Sequence, residues 1–163
     1  MNISTIATVR LDARTLSMRP PSNPRLLLVY PGSDNAQELD PTVHDEAVLG
    51  PLRTAFAAVQ HHWGAVVEHA GRVIVVAPAL AALGDPDRPL DAAVTGGLIS
   101  LVRSLAIELQ RHGATAHILF FDQTPDDPAL QVMITALLDD DAGTMTGQEI
   151  YVTGQTSLGK LHP

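Results

Sequence analysis

Residues 71–121 read GRVIVVAPALAALGDPDRPLDAAVTGGLISLVRSLAIELQRHGATAHILFF, and this stretch decides the fold. Two short apolar runs, at 72–77 and 115–121, flank a longer segment at 89–112 whose apolar residues recur at three- and four-residue steps. Short apolar runs are typical of strands buried on both faces, and the longer periodicity is typical of an amphipathic helix. A strand, a helix and a strand in this order predict a parallel crossover unit.

The same alternation continues on both sides of this stretch. Further strands are predicted at 3–9, 25–30 and 149–152, and further helices at 42–63 and 128–139. No internal repeat or long linker divides the 163 residues, a length near the usual size of one domain. The sequence therefore predicts a single α/β domain over 1–163, with a mostly parallel sheet of about five strands.

Composition excludes several functional classes. A net charge of −8 at pH 7 gives a surface that repels phosphates, so a nucleic-acid partner is not expected. The absence of cysteine removes disulfides and thiolate chemistry. The N-terminal residues lack the order of a signal peptide, and the most apolar run is too short to span a membrane. We therefore expect a cytoplasmic protein without a membrane partner.

Five segments from about residue 25 onward carry a family resemblance. In order they are RLLLVYPG, HDEAVLGPLRTAFAAV, GRVIVVAP, LISLVRSLAIELQRHGATAHIL and LLDDDAGTMTGQEIYVTGQTSLG. Together they resemble the last two-thirds or so of the short-chain dehydrogenases/reductases, Rossmann-fold enzymes that move hydride between NAD(P) and a carbonyl or alcohol. The resemblance implies a truncated Rossmann-like three-layer sandwich with helices on both faces of the sheet.

The resemblance also implies where catalytic residues would lie, and this chain departs from the family there. The family uses Asn, Ser, Tyr and Lys, and the matching positions hold Ala47, Pro78 (Ala77 with a one-residue slip), Asp91 and Thr95. The family's tyrosine exchanges a proton with the substrate oxygen, and its lysine lowers the pKa of that tyrosine. None of the four replacements supplies this chemistry. The expected chain is therefore catalytically degenerate, without catalytic residues of the family's kind.

The region that would bind the cofactor also departs from the family's pattern. A dinucleotide fingerprint needs a glycine-rich turn after the first strand, but the first glycine here is Gly32, which stands alone. We therefore expect no cofactor. Since the family's first strands have no counterpart, the run at 25–30 would form an exposed apolar edge. We expect the run at 3–9 to pair beside it.

Two long helices, 42–63 and 89–112, match helices through which members of the family assemble. The second helix is apolar on two faces, more than one contact with a sheet requires. We therefore expect an oligomer, either a homodimer or a hetero-oligomer with a full-length short-chain dehydrogenase/reductase. The candidate interface residues are Leu52, Phe56, Val59, Gly96, Gly97, Leu101 and Leu105.

Other interpretations remain open. The chain could instead be an oxidoreductase-related enzyme or a small-molecule binder that uses a remnant crevice near Ala77, Asp91 and Phe121 for a different ligand, or it could be a self-associated scaffold. An aspartate in a first helical turn is also favoured by the helix dipole alone. His61, His62 and His69 are expected at a solvated helix end, and 139–141 in a turn with capping carboxylates. Neither group has the ligand spacing of a metal site, so no metal is expected.

Overall fold

The computed structural model describes residues 6–11, 24–33, 44–122 and 124–152. Its strands are β1 (Ala7–Arg10), β2 (Arg25–Val29), β3 (Arg72–Pro78), β4 (Thr115–Phe121) and β5 (Glu149–Val152). Its helices are α1 (His44–Glu68), α2 (Ala79–Leu83), α3 (Pro89–Gln110) and α4 (Pro128–Leu137), and a 3-10 helix spans Asp140–Thr144. The predicted strand residues 3–5 and the predicted helix residues 42–43 lie outside the described residues.

The five strands form one parallel sheet in the order β1-β2-β3-β4-β5. The sheet confirms the predicted Rossmann-like α/β class. The expected pairing of the N-terminal strand is also confirmed, because Thr8 is in register with Leu27 in a parallel ladder. β1 thus covers the apolar edge that β2 would otherwise expose.

The helices lie on both faces of this sheet. α1 and α3 pack over one face, where their buried residues join those of β3 and β4 in a single apolar core. α4 packs over the other face, against a second and smaller core. The connection from β4 to β5 through α4 therefore has the opposite hand to the connections through α1 and α3. Right-handed crossovers are the rule for parallel strands, so this last connection is an exception.

Local chemistry sets the ends of α3. Pro89 lies in the first turn, where its missing N–H costs nothing. Gly113 adopts a φ of +69°, and the N–H of Ala114 donates to the carbonyl of Leu109 at 3.2 Å. A left-handed glycine of this kind closes a helix by satisfying its last carbonyls.

The predicted ends of three helices were wrong, by five residues for α1 and by two each for α3 and α4. α1 does not end near Trp63 but continues through Gly64 to Glu68, because other residues of the helix bury enough apolar surface to outweigh a glycine. His62 is therefore buried in the helix and not part of a solvated end. α4 ends at Leu137, and a separate 3-10 helix follows it.

The acidic run at 139–141 forms the capped turn that the sequence predicted. The carboxylate of Asp139 accepts the N–H of Asp141 at 3.1 Å, and Asp140 pairs with Arg25 at 2.9 Å. Within the described ranges, no three histidine, aspartate or glutamate side chains group closely enough to hold a metal ion.

α3 is long and apolar enough, by length and composition, to cross a membrane. It nevertheless packs against β4 and α1, and eight of its residues are buried. The apolar residues of α3 therefore form part of the core of this fold.

Candidate functional site

The carboxyl ends of β2 and β3 meet the first turn of α3 at the carboxyl-terminal edge of the sheet. Ligands of open α/β sheets bind outside the carboxyl ends of the strands, so this edge is the first candidate site. The structure brings Pro78 and Asp91 together here, as the resemblance implies, and adds Tyr30 and the loop at 31–33.

The carboxylate of Asp91 is only 1% exposed and accepts two hydrogen bonds from the loop after β2. The phenol of Tyr30 donates to Oδ1 at 2.6 Å, and the backbone N–H of Ser33 donates to Oδ2 at 3.0 Å. Arg88 donates from its guanidinium to the carbonyl of Ser33, which fixes the same loop against the start of α3. Asp91 therefore faces this loop and not solvent.

Burial raises the pKa of Tyr30 above its usual value of 10.0, and the hydrogen bond to Asp91 and the charge of Asp91 raise it further. A general base for alcohol oxidation needs a pKa lowered toward neutrality. Tyr30 is shifted in the opposite direction. Although tertiary structure places a phenol near the family's tyrosine position, its environment keeps that phenol protonated.

Gly32 fills the space beside the position of the family's serine. Its φ is +74°, and a Cβ atom on it would lie 2.7 Å from Cγ of Pro78 and 3.4 Å from Oδ2 of Asp91. The glycine is thus needed for the close contact with Pro78.

The other two positions of the family's tetrad contribute no polar contact here. Thr95 is fully buried, and its hydroxyl has no hydrogen-bond partner in the described part of the chain. Ala47 lies near the start of α1, partly buried. Ala77 and Phe121, which would line a remnant crevice with Asp91, are buried as well. Among the described residues, these side chains of the edge are buried.

The candidate interface on α1 and α3 is, in contrast, an exposed apolar surface. A shallow groove of about 490 Å³ lies between the two helices. Phe56 projects there with 54% of its surface exposed, beside the half-buried side chains of Leu52 and Leu101. Val59 and Leu105 were wrongly assigned to this surface. Both are buried in the core beneath it, because they point toward the sheet.

The glycine pair on α3 serves two different surfaces. A Cβ atom on Gly97 would lie 2.7 Å from a methyl group of Leu52, so this glycine lets α3 approach α1 within the chain. Gly96 is exposed, and a Cβ atom on it would meet nothing within 4 Å. Only Gly96 remains available to a second helix from outside.

Sequence reasoning missed Tyr30, Ser33 and Arg88. The one available signal was YPGS at 30–33, where a glycine directly after a predicted strand indicates a sharp turn at the sheet edge. The partner of that turn, Asp91, lies 61 residues from Tyr30 along the chain, and no local pattern joins them.

Comparison with known proteins agrees with this architecture. No family model matches the chain. A curated relative, (2S)-[(R)-hydroxy(phenyl)methyl]succinyl-CoA dehydrogenase subunit BbsD from Thauera aromatica, is 30% identical, and the match covers 66% of this chain and 53% of the relative. The chain thus spans about half the length of the curated relative that it matches.

Solved structures show the same fold at lower identity. Acetoin dehydrogenase from Enterobacter cloacae superposes with a TM-score of 0.71 at 20% identity, covering 82% of this chain and 64% of that one. The angucycline C-6 ketoreductase LanV with bound NADP gives 0.68 at 20% identity, covering 82% and 63%. A blue fluorescent protein from a metagenomic library, in complex with NADPH, gives 0.65 at 22% identity, covering 80% and 64%.

These findings confirm the resemblance stated from sequence. The chain has the Rossmann-like fold of these proteins and is similar in sequence to a dehydrogenase subunit. The similarity covers a part of the length of the proteins that it matches.

Proposed function

We propose that this chain is a non-catalytic subunit, acting as one cytoplasmic domain, that assembles through α1 and α3 with a catalytically complete short-chain dehydrogenase/reductase. In that assembly it has a structural or regulatory role, stabilising the partner or shaping its substrate entrance. Ala47, Pro78, Asp91 and Thr95 are the degenerate counterparts of the family's tetrad. The chain itself binds no nicotinamide cofactor in this proposal.

The burial of Asp91 is the observation that carries this proposal. A carboxylate that bonds the phenol of Tyr30 at 2.6 Å and the N–H of Ser33 at 3.0 Å stabilises a loop of its own chain. The same loop places Gly32 against Pro78, where the family holds a reacting hydroxyl. These contacts at the carboxyl-terminal edge of the sheet stabilise the fold and do not serve catalysis.

The exposed groove supports the assembly. Large aromatic side chains in an apolar groove are the usual anchors of protein interfaces. Phe56 and Leu49 remain exposed on α1, and Gly96 offers a site of close approach on α3. The subunit designation of the Thauera relative agrees with an oligomer. The burial of Ala77, Asp91 and Phe121 gives less support to the alternative, an oxidoreductase-related enzyme or a binder of another small ligand at this edge.

Co-expression with a full-length relative that retains Tyr-x-x-x-Lys, encoded nearby in the genome, tests the assembly. We expect the two chains to co-purify, with a mass that contains both. Phe56→Glu should abolish co-purification, because it places a charge in the apolar groove. Val132→Glu is the matched control, since Val132 is 67% exposed on α4, on the other face of the sheet.

If the chain forms only homomers and binds none of these relatives, the proposed assembly with a different subunit is contradicted. Loss of binding with Val132→Glu as well as Phe56→Glu shows that the groove is not specific. Circular dichroism of both variants, expected to match the parent protein, separates loss of binding from loss of folding.

A further inference from the structure

His117 lies on β4, fully buried beneath the face that α4 covers. In the described part of the molecule, neither Nδ1 nor Nε2 has a hydrogen bond of good geometry, and the hydroxyl of Thr115, two residues earlier on the same face, has none either. Buried polar groups are nearly always paired, so an unpaired imidazole is costly and becomes far more so when charged.

One chain segment, residues 139–148, closes over this position and is called the strap. Two arginines hold its first half: Arg72 donates to the carbonyl of Asp140 at 3.0 Å, and Arg25 pairs with the carboxylate of Asp140 at 2.9 Å. Gly143 packs so closely that a Cβ atom on it would lie 2.8 Å from a terminal nitrogen of Arg72.

The second half of the strap runs beside β4 on either side of His117. The N–H of Gly147 donates to the carbonyl of Ala116 at 2.8 Å, and the N–H of Ile118 donates to the carbonyl of Gln148 at 3.0 Å. The strap is therefore hydrogen-bonded to the two neighbours of His117 in the chain. Opening of the strap would loosen the contacts on both sides of the ring.

The charges around the ring disfavour its protonation. Burial lowers the pKa of His117 below its usual 6.5, the cation of Arg72 lowers it further, and the backbone of Met145 partly offsets these effects. Among the elements around the ring, β2 carries the cation of Arg25 and the strap carries the carboxylates at 139–141. α4 carries no titratable residue. On β5, Glu149 is paired with Arg103 of α3.

We propose that His117 is an acid-sensitive trigger that releases the strap. With a neutral ring the strap stays closed. A proton on the ring places a second cation beside Arg72 without hydration, and opening of the strap admits the water that the imidazolium requires.

The linkage has a definite sign. In the open form the pKa of His117 is near its unperturbed value of 6.5, and in the closed form it is lower. The strap therefore loses protection from hydrogen exchange as the pH falls below about 6.5. Between about pH 7 and pH 5.5 the population of the open form should rise by up to about eightfold, the limit set by complete exclusion of the proton from the closed form.

Hydrogen exchange of the full-length chain, corrected for the intrinsic pH dependence of exchange, measures this opening. We expect the protection of the amides of Ala142, Met145, Gly147 and Ile118 to fall on acidification, relative to amides in β2 and β3. His117→Phe, which cannot take up the proton, should hold their protection constant. His69→Gln and His112→Gln, at exposed sites, should behave like the parent protein.

Constant protection in the parent protein overturns the proposal, as does an equal fall in His117→Phe. His117→Gln, which also carries no titratable group, gives the same comparison if the phenylalanine variant does not fold. A fall that disappears with His69→Gln or His112→Gln assigns the effect to another histidine and rejects His117 as the trigger.

Discussion

The phenol of Tyr30 donates a 2.6 Å hydrogen bond to the carboxylate of Asp91, and this bond ties the end of β2 to the first turn of α3. In the family that the chain resembles, the position of Asp91 holds a reacting tyrosine. Here it holds an acceptor, and the tyrosine lies directly after β2. The contact makes this edge a junction between two elements.

Removal of the phenol should destabilise the fold. Tyr30→Phe removes one donor from the buried carboxylate of Asp91, so we expect unfolding by denaturant to show a loss of about 1–3 kcal/mol. Asp91→Asn combined with Tyr30→Phe should cost less than the sum of the single changes, since the two residues share one interaction. Tyr151→Phe, on the edge strand β5, is the control and should change stability by less than about 0.5 kcal/mol. Additive losses would refute the coupling.

Restoration of the family's residues should not restore its activity. Asp91→Tyr with Thr95→Lys puts two large side chains into buried positions, and overpacking of this kind costs about 1–3 kcal/mol each. We expect a less stable chain with no saturable change in NAD(P)H fluorescence and no hydride transfer. The parent chain should also show no saturable binding in the same titration. Tight binding by either protein would contradict the non-catalytic proposal.

Gly71 should be the glycine least tolerant of change. A Cβ atom there would lie 2.2 Å from the carbonyl oxygen of Pro24 and 2.9 Å from Cα of Val66, and both are backbone atoms that cannot move independently. We expect Gly71→Ala to lower the free energy of unfolding by more than about 3 kcal/mol. Gly64→Ala, in open space within α1, is the matched control and should stabilise the chain by about 0.5–1 kcal/mol. Similar values for the two variants would contradict the close approach of Gly71 to β2.

The adjacent glycines of α3 should respond in opposite directions. Gly96→Ala adds a methyl group in open space and improves helix propensity, so we expect a gain of about 0.5–1 kcal/mol in the isolated chain. Gly97→Ala brings a Cβ atom against Leu52, and its clash should cancel or reverse that gain. If α3 meets a partner as proposed, Gly96→Ala should also weaken the assembly while it stabilises the chain. Denaturation and co-purification of the same variants measure both effects, and an unchanged assembly would argue against contact at Gly96.

The fold was largely predictable because its determinants are local. Continuous apolar runs at 25–30, 72–77 and 115–121 predicted buried strands, and three- and four-residue steps predicted the helix that is α3. The need to cover an apolar edge predicted that β1 lies beside β2. The extent of α1 was less predictable, because tertiary burial outweighs the local cost of Gly64.

By itself, the sequence determined the class of fold and the family resemblance. Only the tertiary structure decided that Asp91 turns inward to Tyr30, that Val59 and Leu105 belong to the core, and that Gly96 and Gly97 serve different surfaces. Local patterns specify which residues are apolar and how they repeat along the chain. They do not specify which residues from distant segments meet, because such contacts depend on how the packed elements share the available space.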